Sequence, residues 1–363
     1  MLALLPLAFM LVVGLAGCGG GGGVAATVNG ENIMEDDVSA YIAQIRISYD
    51  LEDDTRWADY LVANELTPEE VRSNVVNLLA QEKIIAAAAA EAGIEIPETE
   101  IDTAIESVKS QYASDEEFTQ SLKAQDMTEE KLRDTYKQYS LIQQVRNQLV
   151  PDPEPTEEQI QAAIDQEAPK YDGAKRSSHI LFSLDDKEKA QDVLYQVRWS
   201  SAERFAEAAK QYSTDSSAEN GGDVGWDKLR TYVEEYQTAL DNLSLNQVTP
   251  ELVESEFGYH IIRCTDVFNY TEGMTRDDIP QEILDKILSS LKSSLESQAY
   301  TDYVTQLVEN SEIVINDMPG GLPYDVDISS AVSSTDDASV DNTAATAADA
   351  PASNAGETKT ATQ

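Results

Sequence analysis

Apolar positions along this chain fall into three regimes. From residue 24 to about 150 they recur at helical spacing. Between about 174 and 270 short alternating runs are broken by glycine. From about 276 helical spacing returns. In the first regime a short strand, Ala26 to Val28, meets an Asn29-Gly30 turn, and a second passes through Ile33. Asp36 or Asp37 is expected to cap a helix with Val38, Tyr41, Ile42 and Ile45 on one stripe. VRSNVVNLLAQEKIIAAAAAEAG reads as a helix stopped by Gly93, and Pro97 opens the next. Ser114 with Glu117, Thr128, and Thr156 with Gln159 mark further helix starts. Pro151 to Pro155 breaks the array.

The second regime opens with a strand carrying His179 and continues with a helix through AERFAEAAKQYS. The glycine cluster GGDVGW, a further helix and a final strand carrying His260 follow. That order predicts a small α+β unit. The third regime carries Ile283, Ile287, Leu291 and Leu295 in helical register, as the missing partner of the first helices. The expected class is α+β: a mostly helical domain with an inserted α+β unit, a small antiparallel sheet flanked by helices. The expected divisions are a helical domain at 24–173, the inserted unit at 174–270, a returning helix at 276–315, and a tail at 316–363. Ala, Ser, Thr, Asp and Gly dominate the tail, too few apolar groups to offset its ordering entropy, so disorder is expected there.

Charge narrows the function classes. With 25 Lys and Arg against 67 Asp and Glu the net charge is −42. Such a chain repels phosphate backbones, so no nucleic-acid partner is expected. Residues 1–18, MLALLPLAFMLVVGLAGC, form an apolar run too short to span a bilayer and read as a secretory signal segment. Its end, LAGC, resembles the lipobox of bacterial lipoproteins. That resemblance implies a lipidated Cys18, with 19–23 as a glycine tether and the chain anchored to the cell membrane outside the cytoplasm. Cys264, in a strand pattern, is expected to be a buried and inert thiol.

Candidate chemistry gathers in RSSHILFS, YSTDSSAENGGDVGW and FGYHIIRC, which hold both histidines of the chain. Strand alternation puts each histidine on one face and the isoleucine after it on the other, so two strands of one sheet set His179 beside His260. Ser213 and Asp215 follow a helix. A metal site from two His and an Asp lacks a close-spaced ligand pair. A Ser-His-Asp triad lacks its nucleophile elbow. Two core histidines that hold a sheet together remain an open alternative.

The three stretches resemble, in order and spacing, a parvulin-type peptidyl-prolyl isomerase domain. The resemblance rests on His179-Ile180-Leu181, Phe205-Ala206, Ser213-Thr214-Asp215, Gly221 to Trp226, and Phe257 to Ile262. The surrounding layout resembles SurA/PrsA-type extracytoplasmic folding factors: a lipid-anchored start reading ATVNG, a helical array and a closing helix. This implies a prolyl isomerase and chaperone for exported polypeptides containing Xaa-Pro bonds, with no cofactor and no metal. An isomerase-weak chaperone is the alternative. The resemblance carries catalytic roles onto His179, Asp215 and His260, and substrate-binding roles onto Val224, Tyr232, Tyr236 and Phe257.

Departures from the family pattern sharpen the expectations. Tyr232 and Tyr236 stand where the family more often has Met and Phe, and their hydroxyls need partners if buried. SLDDKEK lacks an arginine cluster, so no preference for phosphorylated substrates is expected. Asn246 stands where the family often has Gly, and Asn tolerates the left-handed conformation.

Overall fold

The structure, a computed structural model, describes residues 22–125 and 127–332. Cys18, the signal segment, most of the glycine tether and residues 333–363 lie outside the described residues. In chain order the elements begin with β1 (Val24–Val28), β2 (Glu31–Met34), α1 (Glu35–Ser48), α2 (Asp54–Ala63) and α3 (Pro68–Glu91). Next come α4 (Glu98–Lys109), α5 (Asp115–Lys123), α6 (Glu129–Leu149) and α7 (Glu157–Glu167). Then follow β3 (Ala174–Phe182), α8 (Lys187–Val197), α9 (Ala202–Tyr212), β4 (Asp223–Trp226), α10 (Glu234–Asp241), β5 (Val253–Ser255) and β6 (Gly258–Phe268). The last are α11 (Gln281–Glu309), β7 (Ile313–Ile315) and α12 (Ser329–Val332).

The helix starts obey local chemistry. Thr67, Ser114, Thr128 and Thr156 each accept a hydrogen bond from a first-turn N–H through the side-chain oxygen. Gly93 takes a left-handed φ of 71° just beyond α3. α1 starts earlier than its acidic pair suggested. Asp37 lies inside the first turn, where its carboxylate accepts the Met34 N–H at 3.2 Å. α2 is capped by Asp53, whose carboxylate accepts from the Thr55 and Arg56 N–H groups at 3.0 and 3.1 Å, a start the sequence reading did not mark, and α8 begins without a side-chain cap.

The described elements divide into two compact units, one up to Asp152 together with the chain from Ser297 onward, the other Pro153–Glu296. The boundary therefore sits at the proline-rich break rather than at 173/174. α7 is helical like its predecessors, yet Ile160 and Ile164 pack with Trp226, Phe268 and Ile283 of the second unit. α11 also divides. Ile283, Leu284 and Ile287 join the second unit's core, and Val304 packs with Ile85, Ala89, Ile94 and Val145 of the first. The expectation that 276–315 packs as a whole on the helical domain is corrected accordingly.

In the first unit a three-stranded antiparallel sheet, ordered β2-β1-β7, lies on a core built from α1, α2 and α3. Residues 316–332, placed by composition in a disordered tail, are ordered here. Tyr324 is 1 % exposed within the core. Trp57 Nε1 donates to the Tyr324 carbonyl at 3.0 Å, Arg46 Nη1 to that of Pro323 at 3.1 Å, and Arg72 Nη1 to that of Asn316 at 3.0 Å. Few apolar side chains are needed when buried donors satisfy the backbone.

In the second unit a four-stranded antiparallel sheet is ordered β4-β3-β6-β5. One face, with Ile180, Phe182, Tyr259 and Ile261, is covered by α8 and α9. The other, with Ile262 and Cys264, is covered by Tyr236 and Leu240 of α10 and by Leu243 just after it. Two glycines are obligatory at close approaches. Gly222 has φ 82° and Gly258 φ 135°, and a Cβ at either would collide with the carbonyl oxygen of His179 or Phe182.

Candidate functional site

β3 and β6 pair antiparallel so that His179 lies opposite Ile262, and His260 opposite Leu181. His179 and His260 are therefore diagonal neighbours on one face. Ile180 and Ile261 turn to the other face and are fully buried there. The imidazoles stack at 22° with centroids 5.4 Å apart, and their Nδ1 atoms lie 3.2 Å from each other.

The segment after α9 brings in the carboxylate. Leu181 N–H donates to Ser213 Oγ at 3.0 Å, and Thr214 N–H donates to the Leu181 carbonyl at 2.9 Å. With the chain clipped to β3 in this way, Asp215 Oδ1 reaches His179 Nε2 at 3.2 Å. That approach is bent away from the N–H direction, since Nε2 has no well-aligned acceptor. Asp215 Oδ1 also accepts the Ser217 N–H at 2.8 Å. At the other end Ser255 Oγ lies 2.7 Å from His260 Nε2 and accepts the Phe257 N–H at 3.1 Å. A continuous polar chain thus runs Asp215, His179, His260, Ser255.

Its electrostatics follow from burial. Desolvation opposes ionisation of Asp215, but the adjacent His179 and the hydrogen bond from the Ser217 N–H outweigh it and hold the carboxyl well below the usual carboxylate range. Burial, with His179 alongside, pushes the His260 pKa down to about 4, so this ring is neutral near pH 7. A carboxylate only accepts, which places an N–H of His179 on Nε2. His179 Nδ1 then accepts from His260 Nδ1–H, and His260 Nε2 accepts from the Ser255 hydroxyl.

An apolar cluster adjoins this chain. Tyr236 stands edge-on to both imidazoles, with centroids 5.6 Å from His179 and 5.5 Å from His260. Tyr232 tilts against Tyr236 at 4.7 Å, and Val224 and Val253 pack partly buried beside them. Val224 is the extra residue of a bulge between β3 and β4, because Ser177 pairs with Gly225 and Ser178 with Asp223. The tyrosine hydroxyls find partners. Tyr236 donates to Ser177 Oγ at 3.1 Å, and Tyr232 to the carbonyls of Val224 and Gly225 at 3.0 and 3.2 Å. Burial pushes the Tyr232 hydroxyl up to about 12 and that of Tyr236 well above its ordinary value. The hydroxyls of this cluster are thus tied to neighbouring backbone and side-chain oxygens.

Of the expected site residues, His179, Asp215, His260, Val224, Tyr232 and Tyr236 converge. Phe257 sits in the turn between β5 and β6, 41 % exposed and outside both core clusters of the sheet. Asn246 has φ 66°, the left-handed conformation its position suggested. Sequence reading missed Ser255 and Ser177. Ser177 lies two residues before His179 on one strand face, and strand parity alone marks it. Ser255 reaches His260 through the β5–β6 hairpin, in which Ser255 pairs with Gly258. Among the described residues no cluster of three or more His, Cys, Asp or Glu converges to hold a metal, and no helix is long and apolar enough to cross a membrane.

Comparison with known proteins accords with this geometry. Residues 179–266 match the family described as the PPIC-type PPIase domain, and residues 1–146 that of the SurA-like N-terminal domain. The chain is 33 % identical over 264 residues to the foldase protein PrsA of Halalkalibacterium halodurans, covering 71 % of this chain and 74 % of that one. It is 27 % identical over 259 residues to the foldase protein PrsA of Oceanobacillus iheyensis, covering 70 % and 82 %. A probable parvulin-type peptidyl-prolyl cis-trans isomerase of Bordetella pertussis is 33 % identical over 136 residues, 37 % of this chain and 48 % of that one.

Proposed function

This chain belongs to the PrsA-type foldase family, and from that premise we propose that it is a peptidyl-prolyl isomerase and folding chaperone that acts outside the cytoplasm on unfolded polypeptides. The observation that carries the reading is the polar chain from Asp215 to Ser255 lying against Val224, Tyr232, Tyr236 and Val253, whose apolar surfaces would form the proline slot.

Rotation about a peptide bond crosses a barrier of about 18–20 kcal/mol without making or breaking a covalent bond. The protein need only bind the twisted amide better than either planar form, and each tenfold gain takes about 1.4 kcal/mol of such preference. The slot receives the proline ring. Its apolar walls disfavour the charge separation that stabilises the planar amide. His179, Asp215 and His260 are each buried, so they act chiefly by fixing the edge-on Tyr236 and the electrostatics behind it.

Turnover of a short Xaa-Pro peptide by the full chain tests this. Measurable isomerisation that drops in Asp215→Ala supports the enzyme. Absence of turnover from a folded chain that still suppresses aggregation of an unfolded protein leaves the second reading, an isomerase-weak chaperone. That reading draws support from Tyr232, a bulky ring tethered by two hydrogen bonds where the family more often has Met.

Lipidation of Cys18 belongs to the same proposal, supported by LAGC and the glycines after it. Mass spectrometry of the mature N-terminus is expected to show acyl chains on Cys18, and Cys18→Ser is expected to release the chain from membranes.

A further inference from the structure

β7 ends the first unit's sheet in a way the isomerase chemistry does not use. Asn29 N–H donates to the Glu312 carbonyl at 2.8 Å, and Asn316 N–H to the Ala25 carbonyl at 2.9 Å. With Thr27 opposite Val314, the alternation of an antiparallel ladder commits the Val314 N–H and C=O to β1. Ile313 and Ile315 then turn their N–H and C=O groups outward. Among the described residues no strand pairs with that edge. Its side chains are apolar and open, Val314 49 % and Ile315 40 % exposed. Ile315 shares the core-side face with Ile313, and Val314 takes the other. Exposed apolar edges invite a further strand, and natural sheets usually blunt them with charge, proline or cover.

We propose that the outer edge of β7 docks an extended, cationic segment of an unfolded polypeptide as a fourth strand. The proposal rests on the chaperone reading and assigns that reading a binding edge. Four outward backbone groups offer hydrogen bonds to any sequence. Alternate side chains of the guest would cover Ile315 on one face and Val314 on the other. The charge of the guest follows from what surrounds the edge: Glu309, Glu312 and Asp317 are exposed immediately before and after β7. A second copy of this chain, with net charge −42, is repelled there. The chain's own segment 333–363 has five Asp and Glu against one Lys and is a poor guest for the same reason. Lysine- or arginine-flanked apolar segments meet both requirements. An edge of three residues binds weakly, which suits a surface that must release what it holds.

Fluorescence anisotropy on the full chain tests the proposal. The probe is a labelled peptide of Val-Thr-Val-Thr-Val between paired lysines. Controls are the same peptide with alternate amides N-methylated and a version flanked by glutamates. Ile315→Pro removes one outward N–H, and Ile315→Lys leaves the backbone intact while adding like charge. Expected are saturable binding of the lysine peptide, at least about tenfold weaker binding of both control peptides, and a similar loss in both variants with thermal unfolding and Xaa-Pro turnover unchanged. Equal binding of the N-methylated or glutamate peptide overturns the proposal. So does dimerisation on sedimentation that Ile315→Pro abolishes, or tighter peptide binding after removal of residues 333–363. If the lysine peptide fails to bind while the chain still suppresses aggregation, the edge assignment falls and the chaperone reading stands. If both fail, both fall.

Discussion

The Nδ1 atoms of His179 and His260 face each other at 3.2 Å, and a hydrogen bond between them requires that only one carry the proton. Asp215 decides which, because its carboxylate requires the N–H of His179 on the far nitrogen. Substituting Asp215 by Asn removes that demand, since an amide can donate as well as accept. Asp215→Asn is expected to lower Xaa-Pro turnover about tenfold or more, equivalent to about 1.4 kcal/mol of transition-state binding. Nitrogen chemical shifts of the two rings are expected to report a change of tautomer. Unchanged shifts with lowered turnover would refute the tautomer argument.

Stability is expected to depend on pH through His260. Its folded pKa is pushed down to about 4 from an ordinary 6.5 by burial and the neighbouring ring. Between these values the unfolded chain binds the proton and the folded chain does not, so stability falls as pH drops from about 6.5 to about 4. At about 1.4 kcal/mol per pH unit the loss approaches about 3 kcal/mol. Asp215, held below the usual carboxylate range, contributes stability above its unfolded pKa that is lost only at lower pH. Urea unfolding at pH 7, 5.5 and 4.5 is expected to show the His260 slope, and His260→Gln to flatten it.

Tyr236 combines an apolar ring with a hydroxyl satisfied by Ser177. Tyr236→Phe keeps the ring edge-on to the histidines and deletes one buried hydrogen bond. The expected cost is about 1 kcal/mol of stability. Turnover is expected to stay within about twofold, because the hydroxyl points to Ser177 and not into the slot. A large loss of turnover without loss of stability would assign the hydroxyl a direct role.

Residues after Ile315 are expected to matter for the first unit. Truncation there removes the carbonyls of Asn316, Pro323 and Tyr324 that accept from Arg72, Arg46 and Trp57. It also opens the cavity that Tyr324 fills. Loss of about 3 kcal/mol or more is expected, read as an earlier thermal transition with emission of the exposed Trp57. Xaa-Pro turnover is expected to be retained.

Much of the site was legible because a strand's alternation is local. The sequence around each histidine is enough to put Ile180 and Ile261 on the face opposite the imidazoles. Helix starts were legible for the same reason, each cap being set by residues three apart. Tyr232 and Tyr236 could be marked as needing partners, although the partners could not be named. Ser177 and the carbonyls of Val224 and Gly225 lie on other elements.

By itself, then, the sequence determined which side chains share a face, where helices begin, and that two histidines and an aspartate stand in strands and loops able to meet. Tertiary structure alone decided the strand offset at Arg176 and Ser177 that sets the histidines diagonally, and the hairpin that brings Ser255 to His260. It also decided that α7 joins the sheet-bearing unit and that residues 316–332 are held. Those outcomes depend on pairing between distant segments and on buried arginines and a tryptophan bonding to backbone carbonyls. Composition registers side chains, and a carbonyl accepts equally well from any residue.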